Sequence, residues 1–513
     1  MLHLSTLIHP SINYALNYRI FTGFSVSKIF ILAVYLGLVF YAAFYKSNPF
    51  VEPQRAAFVA VSQIPIVVSL GTKNNILSYF SGLGYEKARA LNYIHRFGGR
   101  LVALGINVHA LGFIYQWSID ASISAKLQLP FVQWGLVGLA SVDILAVCSL
   151  PFVRQRFYNL FYISHIIGFF AFLVAAYMHF PVTIPFVITG FALYGFDHVL
   201  RVLKTRSATS TLTAIPAIGS TRVSVPTLRQ GWHAGQHVRV RVVSPTVSSR
   251  IGWLGYCWAW LFTRARPFTI STASGGEIGL ELIVKKRPGG WTGSLFDMAQ
   301  PHDNDVENKV IGTGLGRDAQ ILIEGPYGGP GYTLFESYSG ALLVAGGSGI
   351  TFVLSMLSDL LQRHEEGCSR LRVIEVVWSV ADPSALVALL PTLIPFLLPR
   401  PSANSALEVH IAVHYTRTPR DGSLDQIASL SLPPSLTLHS GRPNLGKMVT
   451  KTIDNVLSAH LTPYGRSPPS GVIAGACGPI ELGDEVAKAV GSVGWGKAQE
   501  VGGVEAYEEA FGW

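Results

Sequence analysis

The chain has 513 residues, of which 49% are hydrophobic and only 13% charged. Soluble globular chains carry about 25% charged residues, so a disordered or purely cytosolic chain is excluded. The formal +9 would suit nucleic acid, but its placement decides the matter: up to Arg206 there are 15 basic and 5 acidic residues, and beyond it 24 and 25. Cys148, Cys257, Cys368 and Cys477 lack paired spacing, which supports neither a disulfide framework nor a Cys zinc site.

In chain order, uncharged runs occupy 29–45, 56–72 and 101–119, one at 127–153 is broken only by Asp143, and one covers 157–196. The last is long enough for two spans of about 20 residues each, with Pro181 and Pro185 at the turn. Six transmembrane helices are predicted, so the lipid bilayer is a partner. The first 28 residues hold no clean apolar stretch, and a cleaved signal peptide is not expected. Six spans put both termini on one side. Arg19, Lys28, Lys73, Lys87, Arg89, Arg96, Arg100, Arg154, Arg156, Arg201, Lys204 and Arg206 fall at that face, against Lys46, Arg55 and Lys126 at the other, which predicts cytosolic termini. The positive excess then records orientation, and nucleic acid is not an expected partner.

Ionisable or ligating side chains inside a span are costly and need a reason. His95 and His109 lie 14 residues apart on the third span, and His165 and His179 lie 14 apart on the fifth. Fourteen residues rise roughly 21 Å and turn about 1400°, close to four full turns, so each pair shares one helix face. The two helices run the same way, which brings His95 level with His165 and His109 level with His179. Facing imidazoles at two depths suit the axial ligands of two b-type haems. A single such histidine would serve equally well as a packing residue, but two equally spaced pairs leave that reading weak. Gly98, Gly99 and Gly168 would leave room for a flat macrocycle. Arg96 and Arg100 could meet its propionates or serve only as inside-facing anchors. Asp143, in mid-span, must be paired, protonated or in a polar cavity. His198 ends the sixth span with its role open.

After Arg206, short alternating segments such as Thr221–Val225 and His237–Val243 read as a small antiparallel barrel. From about Ser339, apolar strands alternate with Gly-rich turns and helices, which predicts a parallel sheet covered on both faces. At Arg266-Pro267-Phe268-Thr269 a cation, an aromatic ring and a hydroxyl stand in the order a flavin needs for its pyrophosphate, ring and redox-active nitrogen. Lys285 to Thr292, with Gly290, Trp291 and Thr292, offers a second phosphate cradle. Gly235-Gln236-His237 enters a strand, as an ordinary hairpin would. Gly346, Gly347, Ser348, Gly349, Ile350 and Thr351 follow an apolar strand and open a helix, the context in which backbone amides hold a dinucleotide pyrophosphate. Arg442, within Gly441-Arg442-Pro443, could bind a 2′-phosphate and favour NADPH. Cys477 reads by itself as a buried structural cysteine. His410 and His414 alternate in a strand without a further ligand, which reads as structural. Ile251–Phe262, with Trp253, Trp258 and Trp260, is too short to span and could dock on headgroups or pack on the membrane domain.

The paired intramembrane histidines, Arg-Pro-Phe-Thr, Gly-Gly-Ser-Gly-Ile-Thr, Gly-Arg-Pro, Cys-Gly-Pro and the C-terminal Phe-Gly-Trp together resemble the fungal plasma-membrane ferric and cupric reductases, from about Arg55 to Trp513. The resemblance implies a ferric-reductase transmembrane haem domain at 1–206, a ferredoxin-reductase-type FAD barrel at 207–336 and an NADPH-binding α/β domain at 337–513. It implies that His95, His109, His165 and His179 ligate haem, that Arg266, Phe268, Thr269 and Thr292 bind FAD, and that Gly346 to Thr351 hold NADPH phosphates. Cys477 would sit by the nicotinamide, and Trp513, or alternatively Phe511, would shield the flavin. Three departures stand out. Arg266 replaces a common histidine, Asp197, His198 and Arg201 replace an Asp-Arg pattern, and an extra N-terminal span is not seen. The implied activity passes electrons from NADPH through FAD and two haems to an extracytosolic ferric or cupric chelate, for iron or copper uptake. A superoxide-generating NADPH oxidase is the alternative, although the equal spacing of 14 favours metal reduction. A transporter with a regulatory nucleotide domain is a further alternative from a different class. No permease or ferroxidase partner is legible in the residues.

Overall fold

The computed structural model describes residues 15–16, 18–75, 89–243, 265–300, 316–398, 407–419, 423–430, 432–460 and 468–510. Phe511, Trp513, Cys257, Lys87 and the Trp-rich segment 251–262 lie outside them. The chain divides into two units, Ser27–Leu203 and a second formed by Met1–Val26 with Lys204–Gly512.

The first unit contains the six predicted spans. They are α1 (Val26–Phe44), a second span split into α2 (Pro53–Ser62) and α3 (Ile64–Gly71), α4 (Arg89–Ile119), α5 (Pro130–Cys148), α6 (Tyr158–His179) and α7 (Ile184–Leu203). The second span breaks at Gln63 because Pro65 has no N–H to give the preceding turn and disfavours helical geometry in the residue before it. Gln63 then uses its side chain, donating to Val59 O at 3.0 Å and accepting from Tyr35 Oη at 2.6 Å. The core of this unit joins Ala60, Ile64, Val102, Val142, Leu173 and Val187. Its outer faces are apolar too, with Leu38, Leu111 and Ile167 more than half exposed at 63%, 60% and 64%. Apolar side chains that cover the outside of six helices are a surface for lipid, and the chain is a multi-pass membrane protein.

The second unit resumes at Lys204, directly after α7. An antiparallel sheet is built from β3 (Thr205–Ile215), β4 (Ser220–Val225), β5 (Gln236–Val243), β6 (Arg266–Thr269), β7 (Leu280–Lys285) and β8 (Arg317–Gly328), in the order β6-β5-β8-β3-β4-β7. An Ile270–Leu282 bridge joins its ends and nearly closes a barrel. The period-2 alternation of each strand sends Leu212, Val223, Val240, Leu282 and Ile321 inward. A short helix, α8 (Trp291–Met298), packs beside this core.

The parallel sheet follows in the order β12-β11-β10-β9-β13-β14. Its strands are β9 (Gly340–Gly346), β10 (Val373–Val380), β11 (Glu408–Tyr415), β12 (Leu436–Ser440), β13 (Val472–Gly478) and β14 (Val504–Ala510). The connecting helices α9 (Ile350–Glu365), α10 (Ser384–Leu397), α11 (Leu445–His460) and α12 (Ile480–Gly491) cover its faces. The central strand β9 is buried almost throughout, hence its unbroken apolar sequence.

One segment departs from the expected grouping. β1 (Arg19–Phe21) and β2 (Phe24–Ser25) form a small hairpin that belongs with the second unit. Arg19 pairs with Asp484 at 3.2 Å and Glu508 at 2.8 Å, and Gly23 N donates to Asp484 at 2.9 Å. Arg19 thus answers protein carboxylates.

Candidate functional site

The four membrane histidines meet in pairs. His95 on α4 faces His165 on α6 with ring centres 6.2 Å apart, and His109 faces His179 at 6.2 Å. Each ring is held from behind by a different helix. Nδ1 of His95 lies 2.8 Å from Val67 O, that of His109 3.0 Å from Pro53 O, and that of His179 2.6 Å from Phe131 O. A carbonyl oxygen can only accept, so these nitrogens carry the proton and Nε2 keeps its lone pair. His165 Nδ1 meets the Ser149 hydroxyl at 3.1 Å. Outer helices from the second and fourth spans therefore orient rings borne by the third and fifth, the arrangement expected around a metal-ligating imidazole.

Two glycines make room for this. A Cβ on Gly71 would lie 2.8 Å from His95 Cε1, and one on Gly135 would lie 2.8 Å from His179 Cε1. Gly98 and Gly168, expected to admit a macrocycle, turn toward neighbouring helices instead: a Cβ there would meet Val67 and Tyr35, or Leu145 and Ser141 O. Their small size serves helix approach, while Gly99 opens onto free space. Arg96 and Arg100 are exposed. Asp143 accepts a bond from Asn107 Nδ2 at 2.7 Å. Asp197 is buried and accepts from Lys73 N at 3.1 Å, Asn74 N at 2.8 Å and Asn74 Nδ2 at 3.0 Å. His198 lies against Tyr194 of its own helix, with ring centres 4.2 Å apart and the planes tilted by 36°.

In the barrel, Arg266, Pro267, Phe268 and Thr269 make up β6. Phe268 stacks on Trp291 with centres 5.9 Å apart, and the Arg266 guanidinium lies 5.7 Å from the same ring. Thr292 Oγ accepts from Arg287 N at 3.0 Å, closing the turn through Gly289 and Gly290. His237 stands opposite Thr269 on one side and Tyr327 on the other. The residues predicted for flavin thus gather in one region of the barrel.

At the C-terminal edge of the parallel sheet, Gly346 to Gly349 link β9 to α9 as predicted. A Cβ on Gly349 would run into Cys477 O, so the glycine turn and the Cys477-Gly478-Pro479 strand end touch. Thr351 Oγ bonds Ser348 O at 3.1 Å, and Trp378 Nε1 donates to Gly347 O at 3.0 Å. Ile350 opens α9. Arg442 follows β12, three strand positions from β9, or about 14 Å at the usual strand spacing. The strand order reverses between β9 and β13, the place where ligands bind open α/β sheets. An extended dinucleotide could reach from Cys477 past the glycine turn to Arg442. His414 instead stacks on His439 at 5.0 Å, and His410 lies 3.5 Å from Glu375.

Glu509 was not singled out by its sequence context. It stands opposite Cys477 in the β13–β14 register and accepts from Tyr507 Oη at 2.6 Å. A Cβ on Gly328 would come within 3.0 Å of His237 Nδ1 and 3.6 Å of Glu509 Oε1. Barrel and sheet therefore converge at His237, Glu509 and Cys477. Burial, and then the Glu509 carboxylate, push the Cys477 thiol well above its ordinary range, so it stays protonated at neutral pH.

Residues 56–176 match the family described as ferric reductase like transmembrane component, and residues 338–491 match the ferric reductase NAD binding domain. The protein named ferric reduction oxidase 8, mitochondrial, from Arabidopsis thaliana is 26% identical over 71% of this chain and 47% of its own. Ferric/cupric reductase transmembrane component 1 of Candida albicans is 25% identical over 64% and 39%. Among solved structures, a ferredoxin NADP+ reductase from Neisseria gonorrhoeae with bound FAD and NADP aligns at 15% identity over 60% of this chain and 99% of its own, with a TM-score of 0.36. The chain spans about half the length of the curated relatives it matches. A ferric-reductase-like membrane component and a ferric-reductase NAD-binding domain on one chain, with ferric and cupric reductases as relatives, make this chain a member of the ferric reductase family.

Proposed function

We propose that the chain is a transmembrane ferric- or cupric-chelate reductase that draws electrons from cytosolic NADPH and delivers them to an extracytosolic metal chelate at the plasma membrane. The observation that carries this reading is the pair of imidazole couples, each 6.2 Å between ring centres, on the shared faces of α4 and α6. A metal–imidazole bond of about 2 Å on each side of one ion, with each ring centre about 1 Å further out, requires roughly 6 Å. Among the described residues no group of three or more His, Cys, Asp or Glu is placed to hold a metal ion. Two imidazoles alone cannot complete a coordination sphere, and two b-type haems would fit, one held by His95 with His165 and one by His109 with His179. When bound, they supply one-electron transfer at two depths of the membrane.

The chain's own residues do the rest. Val67, Pro53 and Phe131 carbonyls and the Ser149 hydroxyl orient the four ligands. Arg266, Phe268, Thr269, Trp291 and Thr292 form the seat for FAD, with His237 beside Thr269. Flavin chemistry is needed because NADPH gives two electrons and haem accepts one. Gly346 to Thr351 hold the pyrophosphate of NADPH, Arg442 its 2′-phosphate, and Cys477 with Glu509 the nicotinamide end. The cytosolic placement of the termini rests on the basic residues at one membrane face.

The test compares NADPH-driven reduction of ferric chelate, cupric ion and oxygen in sealed membrane vesicles carrying the full chain. Ferric-chelate reduction is expected to exceed superoxide release, and His109→Ala is expected to abolish it while NADPH still reduces a soluble flavin-level acceptor. Superoxide output above ferric reduction would assign the chain to oxygen chemistry. Full ferric reduction by His109→Ala would sink the scheme.

A further inference from the structure

The third span outruns its neighbours on the side of the outer couple. α4 continues ten residues past His109 to Ile119, whereas α6 ends at His179 itself and α5 begins at Pro130, next to the Phe131 carbonyl that holds His179. At 1.5 Å per residue α4 therefore extends about 15 Å beyond the outer couple. The loop before α2 leans on this extension. A Cβ on Gly112 would run into Pro49 O and Pro53 Cβ, and Gln116 Nε2 donates to Phe50 O at 2.9 Å and to Val51 O at 3.0 Å. Along the extension, rings follow one another at four-residue steps. Phe113 meets the His109 ring edge-on with centres 5.0 Å apart, and Trp117 lies 5.4 Å further on from Phe113.

A tryptophan near a membrane boundary is ordinarily an interfacial anchor with its ring among headgroups. Here Tyr115 and Ile119, 50% and 66% exposed, take the outward side of the same turns, and Trp117 stays half-buried against Phe113. The other ring beside the outer couple, Phe131, lies 6.1 Å from His179 and leads to no further ring among the described residues.

We propose that Phe113 and Trp117 form the relay by which electrons leave the outer histidine couple for the metal chelate. This rests on the two-haem reading given above. Trp117 stands eight residues from His109, or about 12 Å along the axis, and conjugated rings in contact couple a donor to an acceptor across such a gap far better than saturated side chains do. In the step, one electron leaves the reduced outer centre, which is oxidised, and the ferric ion of the chelate becomes ferrous. No bond is made or broken and no proton moves.

The experiment reduces the purified full chain with dithionite in the absence of oxygen, mixes it with ferric citrate in a stopped-flow cell and follows reoxidation of the haem bands. Trp117→Leu and Phe113→Leu are expected to slow reoxidation severalfold, Trp117→Phe, which keeps a ring, to slow it less, and Tyr115→Leu to match the parent. Haem content, both midpoint potentials and the rate at which NADPH reduces the haems are expected to stay at parent values in all four variants. Parent-rate reoxidation in Trp117→Leu would overturn the proposal. So would haem loss or shifted potentials in both Trp117→Leu and Phe113→Leu, since the rings would then be packing for the outer couple. A parent protein without haem bands, or with bands that ferric citrate leaves reduced, would instead overturn the function proposed above.

Discussion

Ser149 distinguishes His165 from the other three membrane histidines. Those three face backbone carbonyls, which no substitution can delete, whereas His165 leans on one hydroxyl. Removing such a partner of a metal-bound imidazole costs about 10- to 100-fold in affinity. Ser149→Ala is therefore expected to lose haem from one site faster than the parent, read as the rate of haem transfer to an excess of an apo-haem acceptor protein. Equal rates would mean the hydroxyl plays no part. The histidines themselves were legible because 14-residue spacing is a whole number of turns to within about 40°. Their partners were not, since a carbonyl has no sequence identity and Gly71 and Gly135 look like any other glycine in an apolar run. Glu509 was hidden for a related reason: only the cross-strand register separates it from Glu508.

Among the elements, a buried carboxylate ties the second span to the sixth. Asp197 on α7 receives three hydrogen bonds from Lys73 and Asn74, which follow α3 after Thr72, and α3 carries Gly71 against His95. Asp197→Ala would leave two backbone N–H groups and an amide without their acceptor, a cost of about 2 kcal/mol or more at a buried site. A lower thermal unfolding midpoint in detergent is expected, with Asp197→Asn falling less. An unchanged midpoint in Asp197→Ala would show that the latch carries no load. Six helices were readable because each needs about 20 apolar residues, a length few other structures demand. The break at Gln63 was written in Pro65 but masked by the apolar run around it. The barrel was readable only as alternating strands, since its order β6-β5-β8-β3-β4-β7 depends on pairings between distant residues.

For the molecule as a whole, composition pointed to its two halves before any motif did. The low charged fraction belongs to six lipid-facing helices, and the balanced charge belongs to a barrel and a dinucleotide sheet. Fold class was therefore legible from patterning, while the meeting of His237, Cys477 and Glu509 required the assembled barrel and sheet. The central claim is that NADPH binding at that sheet is wired to two bis-histidine centres in the membrane. The most direct measurement is the absorbance spectrum of the purified full chain, taken without oxygen before and after NADPH is added. The predicted result is b-type haem bands at two haems per chain that pass to the reduced form. The absence of haem bands, or bands that NADPH leaves oxidised, would contradict it.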